Sequence, residues 1–225
     1  MSERIVLLHA THLAMQPIHQ SFKAIWPEAE LVNLLDDGLT IDRAREPELT
    51  RSMIQRFVRF GRYGYDMDAD GILVTCSAFG PAIEQMAAAF PIPVLKPNEA
   101  MFRAALQKGT RIGMIATFAP AVKTMTNEFN EYVVSSGQDA SLTTVVAENA
   151  MDYLKQGNIE AHNQRVAASA HTLENCDVIM LAQFSTSIAA SAVGSAVSVP
   201  VLSAPDSAVA LMKALVKNGK GGSLC

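Results

Sequence analysis

The 225-residue sequence predicts an α/β protein of two similar lobes, each a short parallel sheet flanked by helices. Three observations carry this expectation. Short runs that are apolar throughout alternate with helical patterns, as parallel strands covered on both faces require. The run Asp70-Gly71-Ile72-Leu73-Val74-Thr75-Cys76 has the same shape as Asp177-Val178-Ile179-Met180-Leu181-Ala182-Gln183, 107 residues later. At that offset Arg4-Ile5-Val6-Leu7-Leu8 also falls on Arg111-Ile112-Gly113-Met114-Ile115, Phe22 on Phe129, Pro93-Val94-Leu95 on Pro200-Val201-Leu202, and Glu99 on Asp206. Separated matches at one constant offset point to an internal duplication. The length suits two lobes of about 100 residues each; residues 1–107 are expected to form the first and 108–225 the second, with room for the chain to cross back near its end.

Each half is then read in the same order. Ile5 to Leu8, and Ile112 to Ile115, are the first buried strands. Ile18, Phe22 and Ile25, matched by Met125, Phe129 and Tyr132, have the i, i+4, i+7 spacing of one helical face. Second strands are expected around Ala29 to Leu35 and Ser141 to Val146. A longer helix follows, with its stripe at Leu49, Met53, Ile54, Phe57 and Val58, or at Val166, Ala167, Ala170 and Leu173. Ile72 to Thr75 and Val178 to Ala182 are the third strands. A short helix and a fourth strand, Val94-Leu95 or Val201-Leu202, close each half.

Composition excludes several classes. With 18 basic and 22 acidic residues and no basic block, the chain offers a nucleic-acid backbone nothing to follow. Cys76, Cys176 and Cys225 are scattered, with no metal-ligand spacing, and read as thiols of a reducing compartment. The start has only four or five apolar residues in a row, too few for a secretory signal, so a cytoplasmic protein is expected. The stretch from Val178 to Pro205 has no charged residue, but its many serines, Gln183 and Pro200 fit strand, small-residue helix and strand better than a membrane span. A homodimer is compatible with the composition, though nothing marks its interface.

Ligands of parallel sheets bind beyond the carboxyl ends of the strands. Those ends are His9 to His12, Thr75 to Gly80, Pro97 to Glu99, Thr117 to Pro120, Gln183 to Ser187, and Pro205 to Asp206, and in a duplicated protein they can face one another across a cleft. Cys76 comes directly after a strand and just before a helix beginning near Pro81. Unpaired N–H groups and the positive end of a helix dipole favour a thiolate there, and the same groups suit a carboxylate. A small buried apolar cysteine is the competing reading.

The runs Thr75-Cys76-Ser77-Ala78 and Ile112-Gly113-Met114-Ile115-Ala116-Thr117, together with the duplication, resemble the aspartate/glutamate racemase superfamily, which also holds hydantoin racemases, maleate isomerases and arylmalonate decarboxylases. The resemblance covers essentially the whole chain. It implies two α/β lobes about a pseudo-twofold axis, no cofactor, and a cysteine from each lobe on opposite faces of a small carboxylate; with no metal-ligand spacing among the cysteines, no metal is expected either. Carried over, Cys76 takes the place of the first cysteine, Ser77 and Ala78 of its anion-binding neighbours, and Thr117 of the threonine after the second lobe's first strand. Two departures stand out. Ala182-Gln183-Phe184-Ser185 replaces the Gly-Cys-Thr-His type of motif that bears the second cysteine, and His9 stands where glutamate racemases carry an aspartate.

Moving a proton from one face of a carbon to the other needs two titratable groups, and Gln183 can only orient a substrate by hydrogen bonding. Cys176 precedes its strand, at the wrong end, and Cys225 is the last residue. His9, at the end of the first strand, is the best-placed second acid or base, since its ordinary pKa of about 6.5 suits proton transfer; bonding a loop carbonyl is its bland alternative. His12 is read as a solvated loop residue, and His19, His162 and His171 as helix-surface residues. Glu99 and Asp206 follow the fourth strands in runs that also look like helix N-termini, and for Asp206 capping is the preferred role. Asn98, Thr117, Ser77, Gln183 and Ser185 are polar groups at strand ends suited to gripping a carboxylate. Phe79, Phe118 and Phe184 make room for an aromatic or aliphatic tail, or pack a hinge.

The expected activity is therefore cofactor-independent proton transfer, racemase- or epimerase-like, through the single thiol of Cys76. One-sided chemistry on the same fold (decarboxylation, isomerisation or hydrolysis) and a non-catalytic protein that binds a small anion are the alternatives.

Overall fold

The computed structural model describes residues 2–46, 48–119 and 122–221. Of the positions named above, Pro120 and Cys225 lie outside them. The chain divides into two compact units, Met1–Pro97 with Ala208–Cys225, and Asn98–Ser207.

The first unit contains β1 (Arg4–His9), α1 (Met15–Ile25), β2 (Glu30–Leu35), α2 (Gly38–Arg45), α3 (Arg51–Tyr65), β3 (Gly71–Val74), α4 (Gly80–Ala89) and β4 (Val94–Leu95). Its sheet is parallel throughout, in the order β2-β1-β3-β4. β1 and β3 are apolar and buried on both faces, as central strands of a covered parallel sheet must be. One face meets α3 and α4 through Phe57, Phe79, Ile83 and Met86. α3 lies close against the sheet because Gly64 has no side chain; a Cβ there would come within 2.8 Å of Val6.

The second unit opens with α5 (Glu99–Leu106) and continues through β5 (Arg111–Ala116), α6 (Val122–Ser136), β6 (Ser141–Val146), α7 (Ala150–Lys155), α8 (Ile159–Ala170), β7 (Val178–Leu181), α9 (Ala190–Ala196) and β8 (Val201–Ser203). Its sheet runs β6-β5-β7-β8, again parallel. Phe102 of α5 packs edge-on against Phe129 of α6, with ring centroids 5.4 Å apart. The final helix, α10 (Ala204–Gly221), starts in this unit and ends in the first. There Lys213 Nζ donates to the Ile25 carbonyl at 2.7 Å, and Met212 and Val216 fill the space beside Gly71.

The offset of 107 reappears as strand register. Ile5 pairs with Gly71 as Ile112 pairs with Val178, and Ile72 with Val94 as Ile179 with Val201. Even the turn bonds at the amino ends of the strands repeat. Asp70 Oδ2 accepts the Arg4 N–H at 2.8 Å, and Asp177 Oδ2 accepts the Arg111 N–H at 2.8 Å. Arg111 also grips Asp177 with its guanidinium, and those bonds, with the backbone N–H bonds, hold the Asp177 carboxyl down at about 2.

α2 and α7 are absent from the sequence reading. Each is short and buries few residues, Leu39 in one case and Ala150 in the other, so neither leaves a readable stripe. Among the described residues no helix is long and apolar enough to cross a membrane.

Candidate functional site

At the carboxyl end of the first sheet, Thr75 and Cys76 follow β3. Thr75 N–H still pairs with the Leu8 carbonyl at 3.0 Å, which extends the strand by one residue. Cys76 has extended backbone (φ −128°, ψ 121°) and caps a 3-10 turn, Ser77–Phe79, that runs into α4. It is half-buried and packs on the apolar cluster shared with α3 and α4. Ser77 and Ala78 are likewise half-buried.

His9 is fully buried, its ring directed at the neighbouring strand ends. Nδ1 lies 2.9 Å from Thr75 Oγ1, and Nε2 lies 3.0 Å from Asn33 Oδ1 on β2. His19 of α1 brings its own Nε2 to the same oxygen, at 2.8 Å. Two imidazole nitrogens thus meet at one amide oxygen, and the His9 ring links that oxygen to Thr75. The Thr75 hydroxyl also reaches the Leu8 carbonyl at 3.2 Å. Burial pushes the His9 pKa below the ordinary histidine value, with Asn33 opposing and His19 reinforcing that shift.

The second unit places different groups at the matching position. Gln183 follows β7 by two residues, as Cys76 follows β3, and three donors converge on its Oε1: the Thr117 N–H at 3.1 Å, the Thr117 hydroxyl at 3.3 Å and the Thr186 hydroxyl at 3.0 Å. A backbone N–H can only donate, so this bond orients the amide, and Nε2 is turned toward Met125 Sδ at 3.8 Å. The two hydroxyls also touch each other at 3.1 Å. Ser185 stands half-buried in the 3-10 turn Phe184–Ala189.

Asn98 is buried, and its amide donates to Glu128 Oε2 of α6 at 3.2 Å, inside the second unit. Ser203 caps α10, its Oγ accepting the Asp206 N–H at 3.3 Å and donating to the Asp206 carboxylate at 2.6 Å, so Asp206 stands in the first turn as the partner of the cap. Glu99 and His12 are exposed.

One expectation is corrected, and one left between lining and packing is decided for packing. His162 is not a surface residue; it continues the buried stripe of Val166 and Ala170 one turn earlier, and burial lowers its pKa. Phe79 and Phe184 are buried too, because each lies in a 3-10 turn that rotates it inward; Phe79 stacks on Phe57 with centroids 4.6 Å apart. Of the three aromatic residues only Phe118 stays open to solvent, 47 % exposed. Asn33, Thr186 and Glu128 were passed over as candidates. Thr186 had a signal, since a hydroxyl three residues after Gln183 folds back on it in a 3-10 turn. Cys176 lies at the amino end of β7 beside Gly113, and burial raises its thiol pKa. Among the described residues no cluster of His, Cys, Asp and Glu could hold a metal.

The family described as Asp/Glu/hydantoin racemase matches residues 8–212. No curated protein sequence matches the chain significantly. Among solved structures, aspartate racemase from Picrophilus torridus superposes with a TM-score of 0.73 at 11 % identity, over 96 % of this chain and 95 % of that one. Allantoin racemase from Klebsiella pneumoniae gives 0.73 at 17 % identity, over 97 % and 89 %. Glutamate racemase from Francisella tularensis, in complex with D-glutamate, gives 0.71 at 16 % identity, over 97 % and 82 %. At such identities the likeness is one of fold.

Proposed function

The chain belongs to the Asp/Glu/hydantoin racemase family, and from that premise we propose that it is a cofactor-independent enzyme that moves a proton at a carbon beside a carboxylate, with Cys76 as the reacting group. The observation that carries this reading is the place of Cys76, half-buried at the carboxyl end of a central parallel strand and at the head of the turn into α4. Ligands of such sheets collect at that end. A thiol there exchanges a proton with the carbon acid, as thiolate base or thiol acid. Ser77 and Ala78, which follow Cys76, are the first unit's candidates for holding the carboxylate, Ala78 through its backbone N–H, and Thr117, Gln183, Ser185 and Asn98 are the candidates that the second unit offers. The D-glutamate held by the Francisella tularensis enzyme supports a small carboxylate as the substrate class. His9 enters through Thr75, because its ring is wholly buried with both nitrogens bonded inside the first unit.

Gln183 favours a second reading, chemistry on one face of the substrate only. Its carbonyl oxygen is held by three donors, and its amide neither gains nor loses a proton in the useful pH range. In decarboxylation the C–C bond to the departing CO2 breaks and Cys76 protonates the carbanion, and in isomerisation Cys76 removes a proton and returns it on the same face; neither needs a second acid or base.

One experiment separates these readings. A panel of amino and dicarboxylic acids is incubated with the enzyme in D2O, and deuterium uptake at the α-carbon and loss of optical activity are followed together. Uptake with inversion supports the racemase-like reading, and uptake with retained configuration supports the one-faced one. No uptake with any acid, or equal uptake after Cys76→Ala, defeats proton transfer through Cys76.

A further inference from the structure

The buried polar pair at the end of the first sheet has no counterpart in the second. At the offset of 107, His9 falls on Ala116 and Thr75 on Ala182, and both alanines are as buried as the residues they match. Asn33, paired with Leu7, likewise corresponds to Thr144, paired with Met114. This chain therefore builds the same strand end twice, once with alanines in place of the imidazole and the hydroxyl. Folding does not require the imidazole or the hydroxyl, and burying them carries a desolvation cost that only their mutual bonds offset. The costly version stands on the strand that bears Cys76, one residue ahead of it.

We propose that His9 is a positioning residue, which acts through Thr75 to hold the end of β3, and with it Cys76, in the direction that proton transfer uses; this rests on Cys76 as the reacting group. Thr75 is fixed twice, by its N–H on Leu8 and by its hydroxyl between His9 Nδ1 and the Leu8 carbonyl. His9 is fixed in turn by Asn33 on the far side of β1. His19 joins the same oxygen from α1, so β1, β2, the end of β3 and one helix are linked through His9 and Asn33. Cys76 leaves the sheet from the most constrained peptide in that arrangement. Proton transfer to carbon is sensitive to displacements of about 1 Å, and that sensitivity explains why the pair is present here and dispensable in the second unit.

The test uses Thr75→Val, which keeps the branched shape and loses the hydroxyl, Thr75→Ser, which restores it, and the double variant His9→Ala with Thr75→Ala. The double variant copies the alanine pair on which the second unit folds. Two rates are measured, deuterium exchange with the best acid of the panel and labelling of Cys76 by iodoacetamide, located by peptide mass spectrometry. In Thr75→Val and the double variant, kcat for exchange falls roughly tenfold with KM unchanged, and the labelling rate moves by roughly threefold or more. Thr75→Ser returns both to wild type. Wild-type rates in both hydroxyl-free variants overturn the proposal. If the wild-type protein exchanges no acid, the functional reading fails and labelling decides alone. A labelling rate unmoved by loss of the hydroxyl then overturns the positioning role, and one moved by Thr75→Val and restored by Thr75→Ser supports it.

Discussion

The two units end their third strands differently. In the first, the polar network is built from His9, Asn33 and Thr75, upstream of Cys76 and on the opposite face of the strand. In the second, those upstream positions are alanines, and the network of Thr117, Thr186 and Gln183 takes in the residue that corresponds to the thiol. A one-residue shift of the network decides whether a strand end offers a group for chemistry or a fixed surface for contact. The duplicated fold is thus divided in labour: the first unit supports a reactive side chain, and the second immobilises its equivalent.

The comparison breaks most sharply at the two equivalent positions. Cys76→Ala is expected to lower α-carbon exchange by roughly 10²- to 10⁴-fold, the span of a lost acid–base group. Gln183→Ala, which removes an orienting contact, is expected to cost roughly tenfold or less by the same scale, mostly in KM. Equal losses at the two positions would show that the strand ends share the chemistry.

Gln183→Cys sharpens the contrast from the other side. It places a thiol at the second strand end, and the expected outcome is inversion of a substrate whose configuration the parent retains, read by chiral chromatography. Continued retention would mean that a thiol at this strand end does not reach the substrate's second face.

A smaller effect concerns stability. Thr186→Val removes one of three donors from Gln183 Oε1 and a partner from Thr117, and is expected to cost about 1 kcal/mol in urea unfolding. The two remaining donors keep the loss from being larger. A loss of several kcal/mol would assign the network to folding of the second unit and not to the surface it presents.

The smallest effect is one of pH. His9 and His162 are both buried with their pKa lowered, so below about 6.5 the unfolded chain takes up protons that the folded chain refuses. Stability is therefore complete above that value and declines as the pH falls through it, until the folded pKa is reached. His162→Leu is expected to remove the second unit's share and flatten the thermal midpoint between pH 7 and 5. An unchanged slope would place the whole effect on His9.

Much of this was legible in the chain. The central strands β1, β3, β5 and β7 and the offset of 107 follow from short apolar runs, because a strand buried on both faces leaves few polar residues to blur it. Cys76 and Gln183 were found as strand-end residues for the same reason. What stayed hidden depends on rotation rather than on pattern. His162 sits four residues before Val166 on the buried face of α8, but a histidine in that stripe looks like its end and not its continuation. Phe79 and Phe184 follow strands, a place that suits lining the site and packing alike, and a 3-10 turn swings each into the core. Asn33 was masked by the apolar run around it, and its two imidazole partners come from 24 and 14 residues away in sequence.

The paired aspartates, Asp70 and Asp177, close the amino ends of both sheets with the same backbone bond, far along the strands from Cys76 and Gln183. Each unit is therefore anchored at one pole and diversified at the other. A substitution at a carboxyl-end loop changes what the unit presents without touching the bonds that set its register. Redesign of this scaffold for another acid has a natural boundary: the loops that follow Cys76 and Gln183 are open to exchange, and the strands that lead to them are frame.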